Sequence, residues 1–207
     1  GLYLVTPDEP DTAWLLAQVA AVLPAAPKAL QYRNKSLDAP ARHAQASALR
    51  ALCRSAGVEF MVNDDLELAM AVDADGLHLG KDDGDIAAAR ARLGAGRRLG
   101  VSCYDAWWRA EAAVAAGADH VAFGAMFASP TKPEAVAADI ALLTRARAAL
   151  GVGVVAIGGI TLANAPQLIA AGATRLAVIS DVFGAADPCA RAMAYGALFK
   201  TDFNAHD

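Results

Sequence analysis

Cysteine is scarce in this chain: Cys53, Cys103 and Cys189 are the only three among 207 residues. One of them stays unpaired in any scheme and none forms a CxxC spacing, so neither a disulfide framework nor a zinc site is expected. Long apolar runs are missing too. Hydrophobic residues make up 56% of the chain and mean hydropathy is +0.32. Yet charges, Gly or Pro break every stretch short of the ~18 residues that a membrane span needs. There is no run of Lys or Arg. The 18 basic residues face 22 acidic ones, a net charge of −4, which removes the electrostatic footprint of a nucleic-acid binder. No linker, low-complexity stretch or second domain interrupts the sequence, and 207 residues suit one core. The chain opens on strand-like Leu2-Tyr3-Leu4-Val5 without a signal-like segment, so a reducing cytoplasm is the expected setting.

What is present is a rhythm. Short β-rich runs at 2–6, 29–33, 59–62, 76–79, 98–101, 120–124, 154–157 and 175–179 alternate with Ala-rich helical segments. The helices are expected at 11–22, 40–56, 66–72, 85–93, 105–116, 138–149, 165–171 and about 188–199. Asp105 and Asn164 read as helix starts, and Gly57, Gly117, Gly151 and Gly172 sit where helices should end. Eight strands in strict alternation with eight helices predict an α/β fold of one domain over 1–200, a (β/α)8 or TIM barrel, with a polar tail at 201–207. Alternation alone does not demonstrate closure, so a doubly wound open sheet is the alternative.

In a barrel the carboxyl ends of the strands face the active site. Those positions hold Thr6, Gln31, Arg33, Lys35, Asn63, Asp64, His78, Asp83, Ser102, the 129–132 loop, Gly158-Gly159 and Ser180. Reactive side chains therefore collect on one rim. Arg33 and Lys35 suit a phosphate or diphosphate, with a solvated surface pair as the alternative. Asp64 and Asp83, from neighbouring strands, suit Mg2+, which keeps waters and takes few protein ligands, with capping or solvation as the alternative. Asp65 fits helix capping as well. Ser129, Thr131 and Lys132 offer donors to phosphate oxygens, and Gly158-Gly159 with Ile179-Ser180 let backbone N–H groups approach a phosphate. The 127–138 loop, poor in large apolar anchors, reads as a lid. His78 is open between ligand contact and a satisfied core group. His43, His120 and His206 show no partner pattern, Trp107-Trp108 reads as a packing pair, and nothing marks Cys103 as a nucleophile.

The strand-end motifs QYRNK (31–35), NDDLELA (63–69), DGLHLG (75–80), GVS (100–102), GADHVAFG (117–124), SPTK (129–132) and AIGGI (156–160) resemble those of the thiamine phosphate synthase family, over essentially the whole chain. The resemblance implies a Mg2+-dependent transferase with small-molecule substrates and neither nucleic-acid nor membrane partners. A thiazole phosphate would take the methylene of a hydroxymethylpyrimidine diphosphate, giving thiamine phosphate and diphosphate. It implies that Gln31, Arg33, Lys35, Asn63, Ser102 and Lys132 bind the pyrimidine diphosphate, with Arg33, Lys35, Ser102 and Lys132 as the catalytic set. Asp64 and Asp83 would bind the metal, and Ser129, Thr131, Gly159, Ile179 and Ser180 the thiazole phosphate. Many members carry Tyr where this chain has His120, and a glycine that is absent from 133–138 here. Two alternatives are a thiazole tautomerase, which would need a histidine where Ala125 follows Gly124, and a non-catalytic sensor of thiamine intermediates.

Overall fold

The computed structural model describes residues 1–128 and 137–201. Eight parallel strands, β1 (Leu2–Val5), β2 (Ala29–Tyr32), β3 (Glu59–Asn63), β4 (Gly76–Leu79), β5 (Arg98–Tyr104), β6 (His120–Phe123), β7 (Gly153–Ile157) and β8 (Arg175–Val178), close in sequence order. β8 pairs with β1 (Leu4 opposite Val178), which rules out the open-sheet alternative. The helices are α1 (Thr12–Val22), α2 (Ala39–Ala56), α3 (Leu66–Ala71), α4 (Ile86–Leu93), α5 (Trp107–Ala115), α6 (Ala141–Ala149), α7 (Ala165–Ala170), α8 (Ser180–Phe183) and α9 (Pro188–Thr201). No helix among the described residues is long and apolar enough to cross a membrane. The tail expected at 201–207 lies outside the described residues beyond Thr201.

Strand alternation divides the apolar side chains into two cores. Leu4, Leu30, Phe60, Val62, Leu77 and Val121 join the large cluster between the strands and the helices. Tyr3, Val5, Ala29, Met61, Ala122, Val155 and Ala177 fill a smaller one inside the barrel. Helix starts are set by aspartates: Asp11, Asp38, Asp65 and Asp85 each accept the N–H three residues on. Gly57, Gly117, Gly151 and Gly172 have positive φ where the chain turns back towards a strand, as expected.

Several expectations need correction. β5 runs to Tyr104 because a register shift between Ser102 and Tyr104 keeps it paired with β6. α5 starts after Ala106, which has no side-chain cap, so Asp105 is not its start signal. α6 starts at Ala141, because the Ala138 N–H is held by Ala125 O and Asp139 accepts the Ala141 N–H. Asn164 does precede α7, but its side chain caps no helix N–H. A 3-10 turn (Leu23–Ala25) and α8 were not anticipated. The Trp pair is split: Trp107 packs on the core under Arg145, 3.8 Å above its ring, while Trp108 is 68% exposed.

The basal rim, opposite the strand carboxyl ends, carries a repeated device. Asp75, Asp119 and Thr174 precede β4, β6 and β8, and each grips one residue on the strand before. Asp75 donates its N–H to Phe60 O (2.9 Å) and accepts the Phe60 N–H on its carboxylate (2.8 Å). Asp119 does the same with Leu99 (2.8 and 2.7 Å), and Thr174 with Val154 (2.8 and 2.9 Å). Strand-start N–H groups that lack a ladder partner are thereby satisfied. Asp119 also pairs with Arg90 (2.5 Å). Asp119→Ala should therefore lower unfolding free energy by about 1–3 kcal/mol, the cost of leaving a buried donor unpaired. Urea unfolding measures this, and a loss within error of zero would show that water replaces the carboxylate.

Candidate active site

The first wall of the carboxyl-end rim comes from β1 and β2. Buried Thr6 accepts the Arg33 N–H and donates its hydroxyl to Arg33 O, both at 2.9 Å, which fixes the backbone that presents Arg33. The Arg33 guanidinium pairs with Asp8 at 2.5 Å, and Asp8 also accepts the Lys35 N–H at 2.8 Å. Asp8 was invisible to motif reading because its role depends on β1 and β2 lying side by side. Buried Asn34 holds the turn after β2, accepting the Ser36 and Leu37 N–H groups, and ties it to the segment after β1 by donating to Glu9 O. Gln31 points into the barrel and donates to the buried Tyr3 hydroxyl (2.8 Å).

The second wall brings the two predicted carboxylates together. Asn63 ends β3, and Asp64 follows with φ of 65°, its N–H bonded to His78 O on β4 at 2.8 Å. Burial raises the Asp64 carboxyl above its usual range. The neighbouring Asp83 raises it further, and the Lys35 ammonium, 3.3 Å from Asp64, opposes both. Asp83 is held by the Gly80 N–H at 2.7 Å, and a side chain on Gly80 would collide with it. Asp65 caps α3 and so takes the capping role. Among the described residues no group of three or more His, Cys, Asp or Glu converges. A cation here would therefore need oxygens from water or a ligand, as Mg2+ commonly does.

Ser102, at the register shift in β5, lies 2.9 Å from His78 Nε2. Burial holds the His78 imidazole down, to about 4, against the pull of the Asp83 charge. Arg109 of α5 donates to Ser102 O (2.7 Å) and Gly80 O (2.6 Å), tying the ends of β4 and β5 together. The sequence offered no sign of this, since Arg109 occupies an ordinary helical position. Burial pushes the Cys103 thiol up to about 12, unsuited to a nucleophile.

The third wall follows β7 and β8. Gly158 and Gly159 have φ of 98° and 63°. A Cβ on Gly159 would lie 2.5 Å from Ala128 O, so glycine is required by backbone conformation and by close approach alike. Asn164 accepts the Thr161 N–H (2.8 Å) and donates to Gly159 O (2.9 Å), which places it in the loop and explains why it caps no helix. Ile179 leads into α8, whose first residue is the exposed Ser180. Tyr195 of α9 donates to Asp181 (2.7 Å) and reaches Ile160 O (3.4 Å), locking α8 to the loop after β7. Ser129, Thr131 and Lys132, and most of the expected lid, lie outside the described residues.

Gln31, Arg33, Lys35, Asn63, Asp64, Asp83, Ser102, Gly159, Ile179 and Ser180 thus all occur at the same end of the barrel. Arg109 supports two of these strand ends. Arg109→Ala should speed amide hydrogen exchange at 80–83 by about tenfold or more, since two carbonyl anchors are lost. Unchanged exchange would mean that Asp83 alone holds the loop.

Residues 2–182 match the family model for thiamine monophosphate synthase. A thiamine-phosphate synthase from an Azoarcus species is 67% identical over 199 residues, covering 96% of this chain and 97% of that protein. One from Aromatoleum aromaticum is 62% identical, covering 96% of each. The solved thiamine phosphate pyrophosphorylase of Pyrococcus furiosus superposes with a TM-score of 0.84 at 30% identity, over 97% of this chain and 95% of that one. Orotidine 5'-phosphate decarboxylase from Pyrococcus horikoshii, at 13% identity and a TM-score of 0.71, shares the fold alone. With the family model spanning nearly the whole barrel, this chain belongs to the thiamine monophosphate synthase family.

Proposed function

We propose that this rim joins the methylene carbon of a hydroxymethylpyrimidine diphosphate to the ring nitrogen of a thiazole phosphate, releasing diphosphate. The observation that carries the reading is the Asp64–Asp83 carboxylate pair with Lys35 3.3 Å from Asp64, on the same rim as Arg33 and the glycine turn after β7. The methylene C–O bond breaks first, and its electron pair leaves with the diphosphate. The aminopyrimidine ring stabilises the cationic methylene, and the thiazole nitrogen lone pair then forms the new C–N bond. No covalent nucleophile is needed, in keeping with a rim of cations, donors and carboxylates. The isomerase alternative lacks its histidine, since Ala125 follows Gly124. A cytoplasmic setting suits the free thiols of Cys53 and Cys103.

Developing charge on the leaving group calls for donors placed in advance. Arg33 is held by Thr6 and Asp8, and Lys35 by Asp64, so neither needs to be ordered during the reaction. Lys132 is assigned to the same group by the SPTK resemblance. Gln31, Asn63 and Ser102 are assigned to the pyrimidine diphosphate. Ser129, Thr131, Gly159, Ile179 and Ser180 are assigned to the thiazole phosphate.

The pair of Asp64 and Asp83 fits Mg2+. Two half-buried carboxylates in contact raise the proton affinity of Asp64, and a divalent cation would relieve the repulsion that causes it. When bound there, the ion would supply Lewis-acid stabilisation of the diphosphate oxygens.

Two measurements test this reading. Asp64→Asn and Asp83→Asn should each cut thiamine phosphate formation sharply and shift its Mg2+ dependence to higher concentration. A wild-type Mg2+ titration curve in both variants would remove them from the metal site. Lys132→Ala should lower kcat by about 10²–10³, the typical cost of one transition-state donor. An unchanged kcat with a raised KM for the thiazole phosphate would assign Lys132 to the other phosphate.

A further inference from the structure

Beneath Ser102 the barrel interior holds a second polar layer to which the proposed reaction assigns nothing. His78 and His120, on β4 and β6, are 6% and 4% exposed, and their ring centroids are 5.6 Å apart. β5 runs between them, and its Gly100 leaves the room in which they meet. A Cβ on Gly100 would lie 2.1 Å from His120 Nε2 and 2.5 Å from His78 Nδ1. These same two nitrogens are sealed from solvent and have no hydrogen-bond partner among the described residues. Two orphaned polar atoms converging on one small space are costly apart and complementary together, since a neutral imidazole has one donor and one acceptor nitrogen.

We propose that His120 is a positioning residue: its Nε2–H donates to His78 Nδ1, directly or through one buried water, so that His78 Nε2–H donates to Ser102 Oγ. The Ser102 hydroxyl proton is then free to point at an anionic oxygen of the bound diphosphate, a role that rests on the function proposed above. His120 lines a basal cavity of about 390 Å³ together with Arg98, Asp119, Arg147 and Arg175, where Asp119 and Glu59 balance Arg98 and Glu59 also pairs with Arg175. The single proton of His120 is placed on Nε2 because that nitrogen faces the same small space as His78 Nδ1, which can accept it. Burial lowers the proton affinity of both rings, with His78, Arg175 and Arg98 adding to the depression at His120, which favours the neutral forms. A neutral chain of donors fixes Ser102 without adding a charge inside the barrel.

Long-range 1H–15N correlation spectra of the full-length, 15N-labelled protein report which ring nitrogens carry protons, without any substrate. Both His78 and His120 should be in the Nε2–H form. A protonated Nδ1 on His78 would overturn the proposal, and this reading needs no variant to fold. His120→Phe, which keeps a ring but removes the donor, should release His78 into a tautomer mixture. It should also lower kcat for thiamine phosphate formation about tenfold, with KM for the thiazole phosphate within about twofold. His120→Gln retains an N–H donor and should keep kcat within about threefold of wild type. A wild-type His78 tautomer and wild-type kcat in His120→Phe would also overturn it. If the wild-type protein forms no thiamine phosphate, the functional reading fails while the spectra still decide the relay.

Discussion

The closing ladder between β8 and β1 is the constraint on which the rest depends. Once Leu2, Tyr3 and Leu4 pair with Leu176, Ala177 and Val178, every strand has a neighbour on both sides and no sheet edge remains. Parallel strands joined in sequence order must send each chain segment back from the top to the base. Among the described residues the strand-to-helix turns therefore open on one rim and the helix-to-strand turns on the other. The two rims then diverge chemically. The upper one gathers Arg33, Lys35, Asp64, Asp83 and Ser102, whereas Asp75, Asp119 and Thr174 at the base grip neighbouring strand backbones.

Rigid support behind the rim matters as much as the groups on it. Arg109 binds the carbonyls of Gly80 and Ser102, Asn164 holds the glycine turn after β7, and Tyr195 joins that turn to α8. Each support comes from a helix or a loop beyond the strand that it steadies. A site built this way keeps its charges in place before substrate arrives, which is what electrostatic stabilisation of a leaving diphosphate requires. The pairs Arg33–Asp8 and Lys35–Asp64 also keep two cations close together without leaving them unbalanced.

The barrel interior is unusual in being partly polar. Small residues admit this: Gly100 faces two imidazoles, Gly76 would collide with Met61 if it had a side chain, and Gly153 lies against the Cβ of His120. Tyr3, Gln31, His78, His120 and Ser102 occupy the space so released, linked by hydrogen bonds at Gln31–Tyr3 and His78–Ser102. Ring contacts of Tyr3 and His78 with His120 complete the layer.

Strand order, helix order and the contents of the upper rim were legible in the sequence, because strand and helix periods and turn residues are local properties. The strand-end motifs carried the family, since their residues follow directly on the strands that present them. Closure itself was not legible, because it is a pairing between residues more than 170 positions apart. Asp8, Arg109 and Tyr195 went unseen for a similar reason: nothing in their neighbourhood along the chain marks them, and their partners lie 7 to 35 positions away. His120 shows the division most clearly. By sequence it is a histidine with no partner pattern. Only the register of β4, β5 and β6, with glycine on the middle strand, brings its Nε2 to His78 and makes it part of the layer under the site.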